Sequence, residues 1–249
     1  MLIQQTVDRL HALRLTGMAA ALHEQQGQPD LASIPFEDRL ALLVEREVTA
    51  REDRRLTRLL QLAKLRLPAA AIEDLDFRSA RGLDRSLLLR LSGCDWIRQS
   101  QSVLIVGATG TGKTYLACAL GQSACRHGLT VRYVRLPRLL NELGLARADG
   151  SYGKLLATLA KADLLILDDW GLAPLADRER RDLLEVLEDR YGRRATLVTS
   201  QLPLDHWHQC VGDPTFGDAI LDRLVHQAHR LSLKGTSMRR QERTNPKTH

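Results

Sequence analysis

The sequence predicts an α/β protein in which a parallel sheet flanked by helices follows a small all-helical region. Short apolar runs rich in β-branched residues recur at Ser102–Val106, Val131–Arg135, Leu164–Leu167, Thr196–Ser200 and Arg230–Leu233. Most are separated by helix-length segments, an alternation that places helices on both faces of a parallel sheet. Ahead of them, Met1 to about Leu67 carries helical patterns only. This suggests a helical domain over 1–68, a connector over 69–98 and an α/β domain over 99–249.

The first element expected is helical, Leu2 to about Gln25, and Gly27, Pro29 and Asp30 break it. Ser33 can cap a second helix with Pro35 in its first turn, and Leu40, Leu43, Val44 and Val48 give that helix one apolar face. Between Arg51 and Leu67 the pattern splits. Leu56, Leu59, Leu60, Ala63 and Leu67 fall on one side of a 3.6-residue period, and Arg51, Arg54, Arg55 and Arg58 cluster on another. Such a stripe is either a solvated face or a surface that tracks nucleic-acid phosphates, to which guanidinium forks are well matched. Pro68 is expected to end the helix. The connector, Glu73 to Arg98, is interrupted by Gly82 and Gly93 and should hold one short helix, Arg85–Leu91.

Bulk properties narrow the function classes. The 249 residues suffice for a sizeable core, and 44% hydrophobic with 27% charged residues is ordinary for a globular protein. No apolar run approaches the ~20 residues needed to cross a bilayer. The start, Met1-Leu2-Ile3-Gln4 with Asp8 and Arg9 close behind, does not resemble a secretory signal. Cys94, Cys118, Cys125 and Cys210 form neither a CxxC pair nor a zinc spacing, as expected of reduced thiols in a cytoplasmic protein. The net charge of +6 favours an anionic partner such as nucleic acid.

The chemistry concentrates where the first strand meets its helix. Gly107-Ala108-Thr109-Gly110-Thr111-Gly112-Lys113-Thr114 satisfies G-x-x-x-x-G-K-[ST] at every fixed position. Glycines let successive amides turn inward onto phosphate oxygens, and the helix expected from Lys113 to His127 points its positive end at the same place. Lys113 would reach the β- and γ-phosphates, and Thr114 would place a hydroxyl on magnesium. An acidic pair at the tip of a second buried strand completes such a site, and Leu164-Leu-Ile-Leu-Asp168-Asp169 supplies it. Asp168 would hold Mg2+ through water, and Asp169 would orient or deprotonate the attacking water. No N-K-x-D guanine-reading motif follows, so ATP is the expected nucleotide. Thr199-Ser200-Gln201, at the end of the fourth strand, is either a capping or turn cluster leading into Leu202-Pro203 or a polar contact to the γ-phosphate or the attacking water, with Ser200 as the candidate. Arg223 is either an arginine finger for a neighbouring subunit or one half of a surface ion pair with Asp222 or Asp218.

Taken together, Trp96-Ile97, Gly107 to Thr114, Leu116-Ala117, Leu164 to Gly171, Thr199 to Gln201, Asp222-Arg223-Leu224 and Gly235-Thr-Ser237-Met-Arg239 resemble the IstB-like ATP-binding proteins. Leu13-Arg14-Leu15, Phe36 to Leu43 and Ala63-Lys64-Leu65-Arg66 extend the resemblance over nearly the whole chain. The family consists of AAA+ helper ATPases encoded beside an insertion-sequence transposase, related to DnaC-type helicase loaders. The resemblance implies a P-loop AAA+ core, ATP and Mg2+ as cofactors, and three partners: duplex DNA, the cognate transposase and further copies of the chain. It assigns Lys113, Asp168, Asp169 and Arg223 to catalysis and Arg239 to nucleotide sensing, and the helical front end, with Arg51 to Arg58, to DNA. Asp169 stands where AAA+ proteins usually carry glutamate, which implies slow turnover. A helicase loader is the alternative, although Phe36 is the only aromatic residue before Phe77 to stack on single-stranded bases. A small-molecule kinase would need an acceptor pocket and lid that the stretch from Asp169 to Thr196 does not suggest.

Overall fold

A computed structural model describes residues 2–28, 33–77, 82–235 and 237 of the chain. It divides into two compact units, Met1–Arg58 and Leu59–His249.

The first unit is helical. It holds α1 (Leu2–Ala12), α2 (Thr16–Gln26) and the greater part of α3 (Phe36–Ala63). Where the sequence suggested separate stretches, α3 is one helix of 28 residues. It contains neither glycine nor proline and consists mostly of strong helix formers, so the charged run through Arg55 does not interrupt it. It stops at Ala63 rather than Leu67 because Lys64 takes a left-handed backbone, φ 51°. The division between units therefore falls inside α3, ahead of residue 68. Within the first unit, the buried Glu47 carboxylate accepts hydrogen bonds from the Gly17 amide at 2.7 Å and the Met18 amide at 3.3 Å. It thereby satisfies free donors in the first turn of α2.

The second unit begins with the last turn of α3. Two short helices follow, α4 (Arg85–Ser92) and α5 (Asp95–Arg98). The Asp84 side chain caps α4 by accepting from the Ser86 and Leu87 amides. The sheet then forms from β1 (Val103–Gly107), β2 (Val131–Arg135), β3 (Leu164–Trp170), β4 (Ala195–Ser200) and β5 (His229–Leu233), in the order β2-β3-β4-β1-β5. All four pairings are parallel. The crossovers run through α6 (Lys113–Arg126), α7 (Leu136–Asp149), α8 (Tyr152–Lys161), α9 (Asp177–Arg190), α10 (Trp207–Val211) and α11 (Pro214–Val225). β1, β3 and β4 are apolar along most of their length because helices cover both faces of a parallel sheet. Leu104, Leu165, Leu167, Val198, Leu143, Leu183 and Ile220 are wholly or almost wholly buried in one cluster. Among the described residues no helix is long and apolar enough to cross a membrane.

Parallel strands leave all their carboxyl ends on one edge, where open α/β sheets bind ligands. Gly107, Asp168, Asp169 and Ser200 all stand on that edge.

Candidate functional site

The glycine-rich loop leaves β1 at Gly107 and delivers the chain into α6 at Lys113. Gly110 (φ 82°) and Gly112 (φ 96°) hold left-handed conformations that other side chains rarely adopt, and this sets the loop's curl. The loop is braced internally, since the buried Thr111 hydroxyl donates to the Ala108 carbonyl at 2.9 Å. Thr109 donates to the Gln201 side-chain oxygen at 2.7 Å, tying the loop to the chain leaving β4. Lys113 is only 8% exposed, and its Nζ donates to the Gly107 and Ala108 carbonyls at 2.7 and 2.8 Å. Its ammonium therefore lies within the loop's concavity. Ser237 packs directly on Gly110. Arg239, expected to sense nucleotide, lies outside the described residues.

Asp168 gathers the site. Its carboxylate is fully buried and accepts from three hydroxyls: Thr114 at 3.0 and 3.1 Å, Tyr133 at 2.6 Å, and Thr199. Burial, together with the bond to Asp168, pushes the Tyr133 phenol above its ordinary value, so it remains a donor. The Arg66 guanidinium stands 4.0 Å from Asp168 Oδ2.

The neighbouring Asp169 is aimed by a fault in the ladder. Leu167 pairs with Val198 and Trp170 with Ser200, so Asp168 and Asp169 together face the single residue Thr199. An extra residue of this kind bends a strand and redirects side chains. Asp169 accordingly has φ 64°, which aspartate tolerates better than most residues. The Thr199 hydroxyl closes the bulge, donating to Asp168 Oδ1 and accepting from the Asp169 amide at 3.2 Å. Trp170, stacked on Trp207 with ring centroids 4.9 Å apart, anchors the strand beyond it. The Asp169 carboxylate accepts from Arg135 Nε at 2.6 Å, and that bond raises the Arg135 pKa. Thr199→Val, which keeps the shape and removes the hydroxyl, is expected to cost about 1–3 kcal/mol in chemical denaturation. Unchanged stability would show that the bulge holds without it.

Thr114 and Asp168 are adjacent hard oxygen donors, the ligand type magnesium takes. Among the described residues no group of three or more His, Cys, Asp or Glu side chains could hold a metal alone. The pair therefore fits an ion that completes its shell with phosphate oxygens and water, as magnesium does. Ser200, the sequence candidate on β4, is fully buried. Its hydroxyl donates to the Trp170 carbonyl and accepts from the Leu202 amide, both at 3.0 Å. Of that cluster, Thr199 reaches Asp168 and Gln201 reaches the loop.

A profile of the family described as IstB-like ATP binding protein matches residues 8–246. The chain belongs to this family. Among the relatives of this IstB-like chain is one from Sinorhizobium fredii (strain NBRC 101917 / NGR234), named as an insertion sequence ATP-binding protein, y4pL. It is 52% identical, covering 98% of this chain and 99% of the relative. Another, from Pseudomonas fluorescens and named for the insertion sequence IS1162, is 53% identical over 82% of this chain and 88% of its own. Solved structures that share the fold include the DnaC helicase loader and DnaI. The DnaC helicase loader has a TM-score of 0.54 at 20% identity, covering 66% of this chain and 97% of that one. DnaI has a TM-score of 0.59 at 19% identity, covering 72% and 94%. The core thus shares the fold of these proteins, a five-stranded parallel sheet preceded by helices.

The other expected site residues lie elsewhere in the IstB-like chain. Arg223 sits in α11 beside the amino ends of β1 and β4, sharing a cavity of about 180 Å³ with Ser102, Thr196 and Arg194. That edge is roughly one strand length, ~17 Å, from the glycine-rich loop. Its ion-pair partner is Glu188 on α9 rather than Asp222 or Asp218, and it also donates to the Ala219 carbonyl at 2.7 Å. The pairing holds Glu188 below and Arg223 above their ordinary pKa values. In the helical unit, Arg51 and Arg54 pair with Glu47 at 2.7 and 3.2 Å while staying half exposed, and Arg55 and Arg58 are exposed. Two arginines of the stripe thus also brace α2 through Glu47.

Tyr133, Arg135 and Arg66 escaped the sequence reading as site residues. Arg135 carried one signal, its position at the carboxyl end of an expected strand. Tyr133 carried none, because nothing local says that β2 neighbours β3.

Proposed function

We propose that the chain hydrolyses ATP with magnesium, assembles on duplex DNA with ATP between subunits, and recruits or activates the transposase of its insertion sequence. The observation that carries this is the Thr114–Asp168 junction, where the glycine-rich loop of an IstB-like chain meets the acidic tip of β3.

Lys113 and the loop amides hold the β- and γ-phosphates, and Thr114 with Asp168 would hold the metal. Bound magnesium supplies charge neutralisation at the transferring phosphoryl group. Tyr133 and Thr199 keep the Asp168 carboxylate oriented while it does so. Asp169 orients the attacking water once Arg135 releases it, and that ion pair supports slow basal turnover. Arg223 stands on the wrong edge to serve its own loop. It suits a neighbour's nucleotide, with Glu188 as its resting partner. The transposase contact is supported by the insertion-sequence relatives.

Arg51, Arg54, Arg55 and Arg58 are proposed to contact DNA phosphates without reading bases. Titrating duplex and single-stranded DNA against salt tests this. Duplex is expected to bind more tightly, with a steep salt dependence whose slope falls by about one on Arg58→Ala. A flat salt response would remove the phosphate-tracking surface, and a single-strand preference would favour a helicase loader.

A further inference from the structure

Resting on the nucleotide reading of the loop, we propose that Arg66 contacts the terminal phosphate of ATP and so lets the site distinguish ATP from ADP. Arg66 lies in the segment directly after α3, which is strapped along α6, the helix of the phosphate loop. Leu65 is buried beside Gly121, where an added Cβ would come within 3.0 Å of its Cδ2. The Tyr115 hydroxyl, on α6, lies 3.4 Å from both the amide and the carbonyl of Ala71. These contacts fix the backbone of the strap, and the Arg66 side chain extends from it toward Asp168.

Asp168 does not need this guanidinium. Its carboxylate already accepts three hydroxyl hydrogen bonds, and 4.0 Å is too long for a fourth. Arg66 is also 46% exposed along its side chain, so its donors are open to another acceptor. Oδ2, the oxygen it approaches, is shared with Thr114, which places an exposed positive charge at the rim of the metal and phosphate position. A cation bound by Thr114 and Asp168 would repel the guanidinium from that carboxylate. A phosphate oxygen is the strong acceptor then nearest at hand, and guanidinium forks bind phosphate in two-point contacts. ADP lacks the terminal group and gains nothing from Arg66.

The test is titration of fluorescent ATP and ADP analogues with magnesium into the full chain, comparing wild type, Arg66→Ala, Arg66→Gln and Lys113→Ala. Arg66→Ala and Arg66→Gln are expected to weaken ATP about tenfold or more while leaving ADP within about twofold. A bystander on the strap would leave the ATP-to-ADP ratio unchanged, and that result in both variants overturns the proposal. If wild type binds neither nucleotide, or binds them no better than Lys113→Ala, the nucleotide reading itself falls and this inference with it. Two arginine variants, each checked by its melting profile, separate a lost contact from a misfolded strap.

Discussion

Lys113→Ala is expected to lower ATP affinity by about 100-fold or more. The ammonium is nearly buried inside the loop and bonded to two of its carbonyls, so in that concavity it is the charge that a phosphate would meet. Charge-assisted hydrogen bonds of this kind are worth roughly 1.5–3 kcal/mol each, and a γ-phosphate offers several acceptors. Equilibrium binding with a fluorescent ATP analogue measures the loss. The melting temperature is measured alongside, so that a lost phosphate contact is separated from a loosened loop. Wild-type affinity in the variant would mean that the phosphates lie elsewhere.

Arg223→Ala is expected to act differently, leaving ATP affinity within about threefold and lowering DNA-stimulated turnover by about 10³-fold. The reason is position. Arg223 lies at the amino edge of the sheet, paired with Glu188, whereas the loop and both aspartates lie at the carboxyl edge. No side chain spans a strand length, so under this proposal any catalytic contribution of Arg223 would fall on another copy. Mixing supplies the decisive control. Lys113→Ala chains retain Arg223, and Arg223→Ala chains retain an intact loop. The mixture should recover turnover that neither variant has alone. Equal turnover of wild type and Arg223→Ala on DNA would remove the trans-acting role.

These expectations divide by what each residue's neighbours are in sequence. The glycine-rich loop was legible because its chemistry is local, eight consecutive residues between a strand and a helix. All five strands were legible from their apolar runs, to within a few residues at each end. The partners of Asp168 were not, because Tyr133 and Thr199 reach it across strands β2 and β4, and periodicity does not reveal strand order. The acidic pair was visible, but the bulge that separates the roles of Asp168 and Asp169 exists only in the register with β4. The same register turns Ser200 into the core and Thr199 into the site. In the helical unit the four-residue spacing of Glu47 and Arg51 was there to be read as a helix pair. That Glu47 is also buried over the start of α2 depends on packing that the stripe of arginines conceals. Glu188, 35 residues before Arg223, was likewise beyond any local pattern.

Phosphates and a metal are expected to meet at the Thr114–Asp168 junction, and calorimetry of ATP binding in the presence and absence of magnesium tests this most directly. The expected result is one ATP per chain, bound more tightly with magnesium, with that magnesium-dependent gain lost in Asp168→Asn. Folded protein that takes up no ATP, or an Asp168→Asn variant whose binding responds to magnesium as wild type does, would contradict it.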